Sequence, residues 1–153
     1  MTPSRRLVSL GITIPAPATP KGAYFPSRLC GHELWVSGTT ARQPDRPALA
    51  GVVGADVSVE QAQAQARLAA LNVIGAIDAA VGVDNIRTLL HMRGYVRAVA
   101  DFDAHPAVID GASRLLLDVF GEECGAHART AIGVASLPGG ACVELELVAA
   151  VAV

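Results

Sequence analysis

The sequence predicts an α+β domain, a mixed β-sheet with two helices packed on one face. Three observations carry that expectation. Two segments, one opening at Ser58 and the other at Pro106, repeat their apolar residues at helical spacing. About five or six shorter segments carry apolar residues in the manner of strands, with turn-forming residues between them. The chain has 153 residues, enough for one domain, residues 1–153, that buries a core without disulfides or metals. Helices distributed among strands in this way pack as a layer against the sheet.

Each element has a local reason. Residues 7–12 have the composition of a short strand, and the stretch PAPATPKG at residues 15–22 is rich in turn formers, so residues 1–22 read as an irregular N-terminal arm. Residues 23–27 and 33–37 look like two strands of a hairpin around Cys30-Gly31-His32. A loop follows at residues 43–54, where Pro44, Pro47, Gly51 and Gly54 break either regular structure. Ser58 with Gln61 three residues later has the pattern of a capping box, each side chain serving an orphan backbone N–H of the first helical turn. Ala62, Ala66, Ala69 or Ala70, Val73, Ile77 and Val81 then form an apolar stripe, and Gly82 supplies a stop. Residues 89–98 read as a strand around Met92, Tyr95 and Val96. The second helix begins with Pro106 at its first position and runs to Phe120, closed by Gly121, with Val108, Leu115, Leu116, Val119 and Phe120 facing the sheet.

The last strand pair carries the charge that most needs explaining. In HARTAIGVASLPGGACVELEL, residues 127–147, a single arginine heads an apolar run that turns at Leu137-Pro138-Gly139-Gly140 and returns with two glutamates. Alternation puts Thr130, Ile132 and Val134 on one face of the first strand and Val143, Leu145 and Leu147 on one face of the second, both expected to meet the helices. The opposite face would carry Arg129, Ala131, Gly133 and Ala135 beside Glu144, Glu146, Val148 and Ala150. Side chains that small admit a neighbouring backbone or a ligand, so this face reads as an interface or a pocket wall.

Composition sets outer limits. The net charge of -2 and the lack of a basic tract argue against a nucleic-acid partner. An apolar fraction of 52% without an apolar run long enough to span a bilayer, and an N-terminus MTPSRRLVSL without a signal-peptide core, give the expectation of a cytoplasmic chain with no membrane partner. Excess apolar surface then points to burial between subunits, a homo-oligomer. Cys30, Cys124 and Cys142 lack CxxC spacing, and His32, His91, His105 and His127 are scattered, so no metal site is visible and the thiols read as free. No GxSxG elbow or Cys-His arrangement offers a nucleophile.

Ala128-Arg129, Leu137-Pro138 and Val143-Glu144-Leu145-Glu146 together resemble the C-terminal signature of the Rid family, the YjgF-type reactive intermediate deaminases with the older label endoribonuclease L-PSP. Gly22-Ala23-Tyr24, Val36-Ser37-Gly38, Leu71-Asn72 with Gly82, and Tyr95-Val96 before Asp101-Phe102 agree in order, so the resemblance spans roughly residues 20–150. It implies a chorismate-mutase-like fold and a homotrimer with a central barrel of sheets and three clefts between subunits. It also implies hydrolysis of imines or enamines of 2-amino acids to 2-keto acids and ammonia, with no cofactor.

The resemblance gives the residues roles. Arg129 would hold the carboxylate of a small ligand, since a planar guanidinium can grip a planar carboxylate by two parallel bonds. Glu144 would orient the attacking water and carry its proton. Tyr24 would close the cleft, with Ser37 beside it, and Ala131 stands where the family archetype has a cysteine, a position whose backbone carbonyl can still act. The match to the family's helix asparagine falls near residues 111–113, and His127 adds an imidazole close to Arg129. A non-catalytic homotrimer that binds small carboxylates or amino acid derivatives would need the same Arg129, and the family's older label suggests a third function, an endoribonuclease-like activity.

Overall fold

The structure, a computed structural model, describes residues 1–17 and 19–152. Helix α1 spans Pro3–Ser9, strands β1 and β2 span Ser27–Cys30 and Glu33–Thr40, and helix α2 spans Val59–Val81. Strand β3 (Ile86–Arg97), helix α3 (His105–Gly125), strand β4 (Ala128–Val134) and strand β5 (Val143–Val151) complete the order. The strands form one sheet in the order β1-β2-β5-β3-β4. All neighbours are antiparallel except β3 and β4. That parallel pair requires a long crossover, which α3 provides. The result is the expected α+β architecture, with a five-stranded sheet and three helices rather than two.

The core forms where α2 and α3 cover one face of the sheet. Leu34, Val36, Leu89, Met92, Val96, Val143, Leu145 and Leu147 point to that face and are buried against Ala66, Ala70, Val73, Ile77, Val108, Leu115 and Leu116. The capping box is present: Ser58 Oγ accepts from Gln61 N at 3.1 Å, and Gln61 Oε1 accepts from Ser58 N at 2.9 Å. Gly82 ends α2 at φ 78°, a left-handed conformation that other residues rarely adopt. By length and hydropathy α2 could also cross a membrane, but here its alanine, valine and isoleucine stripe is spent on the sheet and on α3.

Small residues let the two helices approach closely. A Cβ on Gly111 of α3 would overlap the backbone carbonyl of Gln63 in α2, and the Gln63 side chain donates to the carbonyl of Ala107 at 2.6 Å. Gly111→Ala should therefore lower stability by about 1 to 3 kcal/mol through overpacking, against the roughly 1 kcal/mol that the same change usually gains in an open helix. Thermal or denaturant unfolding of the variant measures the sign.

Three expectations need correction. Residues 7–12 form no strand, and the arm is not wholly irregular, because α1 lies within it. Thr2 caps that helix by accepting from Arg5 N, Pro3 occupies its first turn, and Ser4 donates from N and Oγ to the Asp84 carboxylate at 2.8 and 2.6 Å. Those bonds hold the Asp84 carboxyl below its ordinary range, and Leu7 is buried against the core. Alternation was a poor guide where one anchor residue and a cap decide the conformation. The first hairpin strand lies further along the chain than 23–27, and its turn is Gly31-His32 with Gly31 at φ 59°.

The third correction concerns the faces of β4. Its parallel register pairs Arg129 with Met92, Ala131 with Gly94 and Gly133 with Val96. Met92 and Val96 are buried beneath the helices, so Arg129, Ala131 and Gly133 lie on the helix side. Consistent with this, Ala131 packs against the core, and a Cβ on Gly133 would meet the His105 ring of α3. Ile132, expected inward, is 45% exposed on the open side. An edge strand beside a helix terminus buries little, so its apolar residues do not mark its inner face.

Candidate functional site

The register that turns Arg129 toward α3 gives it three polar neighbours. Asp110 and Ser113 stand three residues apart on α3, on adjoining turns of one face. Arg129 Nη1 donates to Asp110 Oδ1 at 2.7 Å and to Ser113 Oγ at 3.1 Å. Ser113 Oγ also lies 3.1 Å from His127 Nε2, and His127 Nδ1 lies 2.7 Å from the Gly125 carbonyl oxygen. Burial lowers the His127 pKa, and the Arg129 charge acts in the same direction.

Glu144 belongs to a different place. On β5 it pairs with Thr40 and Tyr95, on the sheet face away from the helices, in a row that continues to Ile132. Its carboxyl reaches over Gly38, where a side chain would collide with it. Beside it, β1 has ended and β2 continues through a register shift between Val36 and Thr39. A cavity of about 250 Å³ opens there, lined by Tyr24, Ser37, Gly38 and Glu144 together with Arg42 and Asn72. Ser37 Oγ donates to the Phe25 carbonyl at 2.7 Å, which ties the Tyr24 segment to β2. Asn72 donates to the carbonyls of Thr40 and Arg42, both at 2.8 Å, and so fixes the opposite wall.

Burial, with Glu146 nearby, raises the pKa of the Glu144 carboxyl. A carboxyl in that condition exchanges protons nearer neutrality than an exposed one. It also weakens the fold: the native state holds this proton at a pH where the unfolded chain has lost it, so the stability of the protein falls as pH rises through that window. Glu144→Gln should remove this slope. Its advantage in melting temperature over the parent should grow from acid pH toward pH 8 in paired thermal scans.

The two groups cannot serve one small ligand within a single chain. They face opposite sides of the sheet, with β3 between their strands. Arg129 is aligned with Met92 and Glu144 with Tyr95, three positions further along β3. Strand spacing and rise alone then separate them by about 14 Å.

The family comparison adds the context for this division. A family model described as "YjgF/chorismate mutase-like, putative endoribonuclease" matches residues 4–151. The chain belongs to the YjgF family. Protein TCP17 of Trypanosoma cruzi is 40% identical over 141 residues, covering 92% of this chain and 88% of that one. A protein of unknown function from Agrobacterium tumefaciens has a solved structure at TM-score 0.88 and 38% identity, covering 99% of this chain and 94% of the other. A Shewanella oneidensis structure carrying the same endoribonuclease description matches at TM-score 0.93 and 32% identity, over 99% and 100% of the two chains.

Against this YjgF fold the sequence-derived residues fall into two groups. Tyr24, Ser37 and Glu144 share the cavity. Arg129 and Ala131 lie across the sheet from it, on the helix side of β4. Within residues 111–113, Gly111 is used in helix packing and Ser113 is the residue that reaches Arg129. Sequence reading missed Asp110, although an acid and a serine three apart on α3 were visible as a polar stripe. Arg42 and Asn72 were missed as cavity walls, since a loop and a helix meet there only in the folded chain. Among the described residues, no three His, Cys, Asp or Glu side chains gather as a metal site.

Proposed function

We propose that the protein hydrolyses small 2-imino or enamine carboxylic acids to 2-keto acids and ammonia, in clefts formed between copies of the chain. The observation that supports this most is the division of the site. A guanidinium at one sheet edge and a carboxyl whose pKa is raised by burial, in a cavity on the other side, are each incomplete in one chain, and a neighbouring copy can bring one against the other. The open sheet face offers apolar area for such contact, with Trp35 49% and Ile132 45% exposed. A homotrimer, as in the family resemblance, closes three equivalent clefts by one repeated heterologous contact.

In this reading Arg129 holds the ligand carboxylate, Tyr24 covers it, and Glu144 faces the imine carbon. Water adds to that carbon while Glu144 accepts its proton. The resulting amino alcohol collapses as Glu144 passes that proton to nitrogen: the C–N bond breaks, the hydroxyl proton returns to the Glu144 carboxylate as the C=O bond forms, and the keto acid and ammonia leave. The balance is one imine and one water giving one ketone and one ammonia. In this reading no cofactor is required, because a protonated imine carbon is already electrophilic.

The test is a coupled assay in which an amino acid oxidase releases 2-imino acids and ammonia formation is followed. Faster ammonia release with the protein than without it is the expected result. Saturable binding of keto acids without any acceleration would instead establish a carboxylate-binding assembly.

A further inference from the structure

The hydrogens of Arg129 can be counted. Nη1 carries two, and its two acceptors are Asp110 Oδ1 at 2.7 Å and Ser113 Oγ at 3.1 Å. Among the described residues nothing else bonds this side chain, so the hydrogens on Nε and Nη2 are uncommitted. Those two nitrogens form one edge of the guanidinium, the side-on edge that fits a carboxylate by two parallel bonds.

The direction of each bond behind Arg129 also follows. The Gly125 carbonyl can only accept, so His127 Nδ1 carries the hydrogen and donates to it. In the neutral ring Nε2 is then an acceptor, and Ser113 must donate its hydroxyl hydrogen to it. That leaves the Ser113 lone pairs facing Arg129 Nη1. Burial favours the neutral ring this chain of bonds requires. The Asp110–Arg129 pair is part-exposed, at 41% and 24% for the two side chains, and such pairs add little to stability. Orientation is the larger effect.

We propose that Asp110 and Ser113 are positioning residues for Arg129, saturating Nη1 so that the Nε–Nη2 edge is the one presented to a ligand carboxylate. His127 in turn fixes the Ser113 hydroxyl. This deepens the reading of Arg129 as the carboxylate clamp and rests on it.

The test uses the full chain and has two arms. In the first, arginine-labelled protein is followed by nitrogen-edited NMR without ligand. A held Arg129 gives separate Nη1 and Nη2 signals, which merge in the Asp110→Ala, Ser113→Ala double variant as the guanidinium rotates freely. Merged signals in the parent protein would overturn the positioning role. In the second, 2-oxobutanoate is titrated into single variants. Asp110→Ala should weaken binding about tenfold or more, while Asp110→Asn, which keeps an acceptor oxygen for Nη1, should bind at least as tightly as the parent. Equal loss in both variants, or loss in neither, would overturn it. If the parent binds no 2-oxobutanoate, the clamp reading fails, and the NMR arm still decides whether Arg129 is held.

Discussion

Arg129→Ala is expected to weaken 2-keto acid binding by about a hundredfold or more, while the chain still folds. Two charge-assisted bonds to the carboxylate would be lost, each worth roughly 1.5 to 3 kcal/mol. The Asp110 carboxylate would lose its partner as well. It would then repel an incoming anion that the parent attracts, which pushes the effect upward. Arg129→Lys should rescue little, because a single ammonium can satisfy Asp110 or the ligand but cannot do both with the geometry of a fork. The fold should survive, since Arg129 is a part-exposed residue of an edge strand and its salt bridge contributes at most about 1 kcal/mol. Isothermal titration with 2-oxobutanoate measures the binding, and circular dichroism with sedimentation checks fold and assembly. Full binding by an Arg129→Ala protein that no longer assembles would make the arginine a structural residue and remove it from the site.

The parts of this chain governed by strong local rules were legible in the sequence. Helix α2 announced itself through Ser58, Gln61 and a long apolar stripe, and β5 through strict alternation, because both are buried along one whole face. Helix α3 was visible from Pro106 to Gly121, where the backbone leaves the helix at φ 77° before a last turn to Gly125. What escaped was decided by neighbours. The faces of β4 depend on its parallel register with β3, and neither face of an edge strand need be apolar. Helix α1 depends on Asp84, far along the chain, accepting from Ser4.

For the candidate site, the motif brings Arg129, Glu144, Tyr24 and Ser37 forward but does not say which of them meet: Tyr24, Ser37 and Glu144 line one cavity, and Arg129 lies across the sheet. Alternation set Arg129 and Glu144 on one sheet face. Their separation across the sheet changes the physical problem, since one chain cannot bring both groups to the same small ligand. Asp110 shows the same limit from the other direction. One carboxylate among fourteen acidic residues has no special signature until a register places it beside a guanidinium.

Glu144→Gln should abolish most turnover while leaving keto acid binding nearly intact. Glutamine keeps the shape of the side chain and loses the ability to take up and return a proton, and general acid–base catalysis of this kind contributes about a hundredfold to ten-thousandfold in rate. The carboxylate grip, assigned to Arg129, is untouched. The same variant then tests whether clefts form between copies. Glu144→Gln protein retains Arg129, and Arg129→Ala protein retains Glu144. If a cleft draws its arginine from one copy and its glutamate from another, co-refolding the two inactive proteins in equal amounts restores activity. With random assembly, a cleft needs the right copy on each side, so about a quarter of the clefts should be complete. A site confined to one chain would contain a defect in every copy and could recover nothing on mixing. Activity that stays at the level of the separate variants, in a mixture shown by mass spectrometry to contain hetero-oligomers, would therefore refute the shared cleft. Recovery near a quarter of the parent rate would place Arg129 and Glu144 on opposite walls of one cleft.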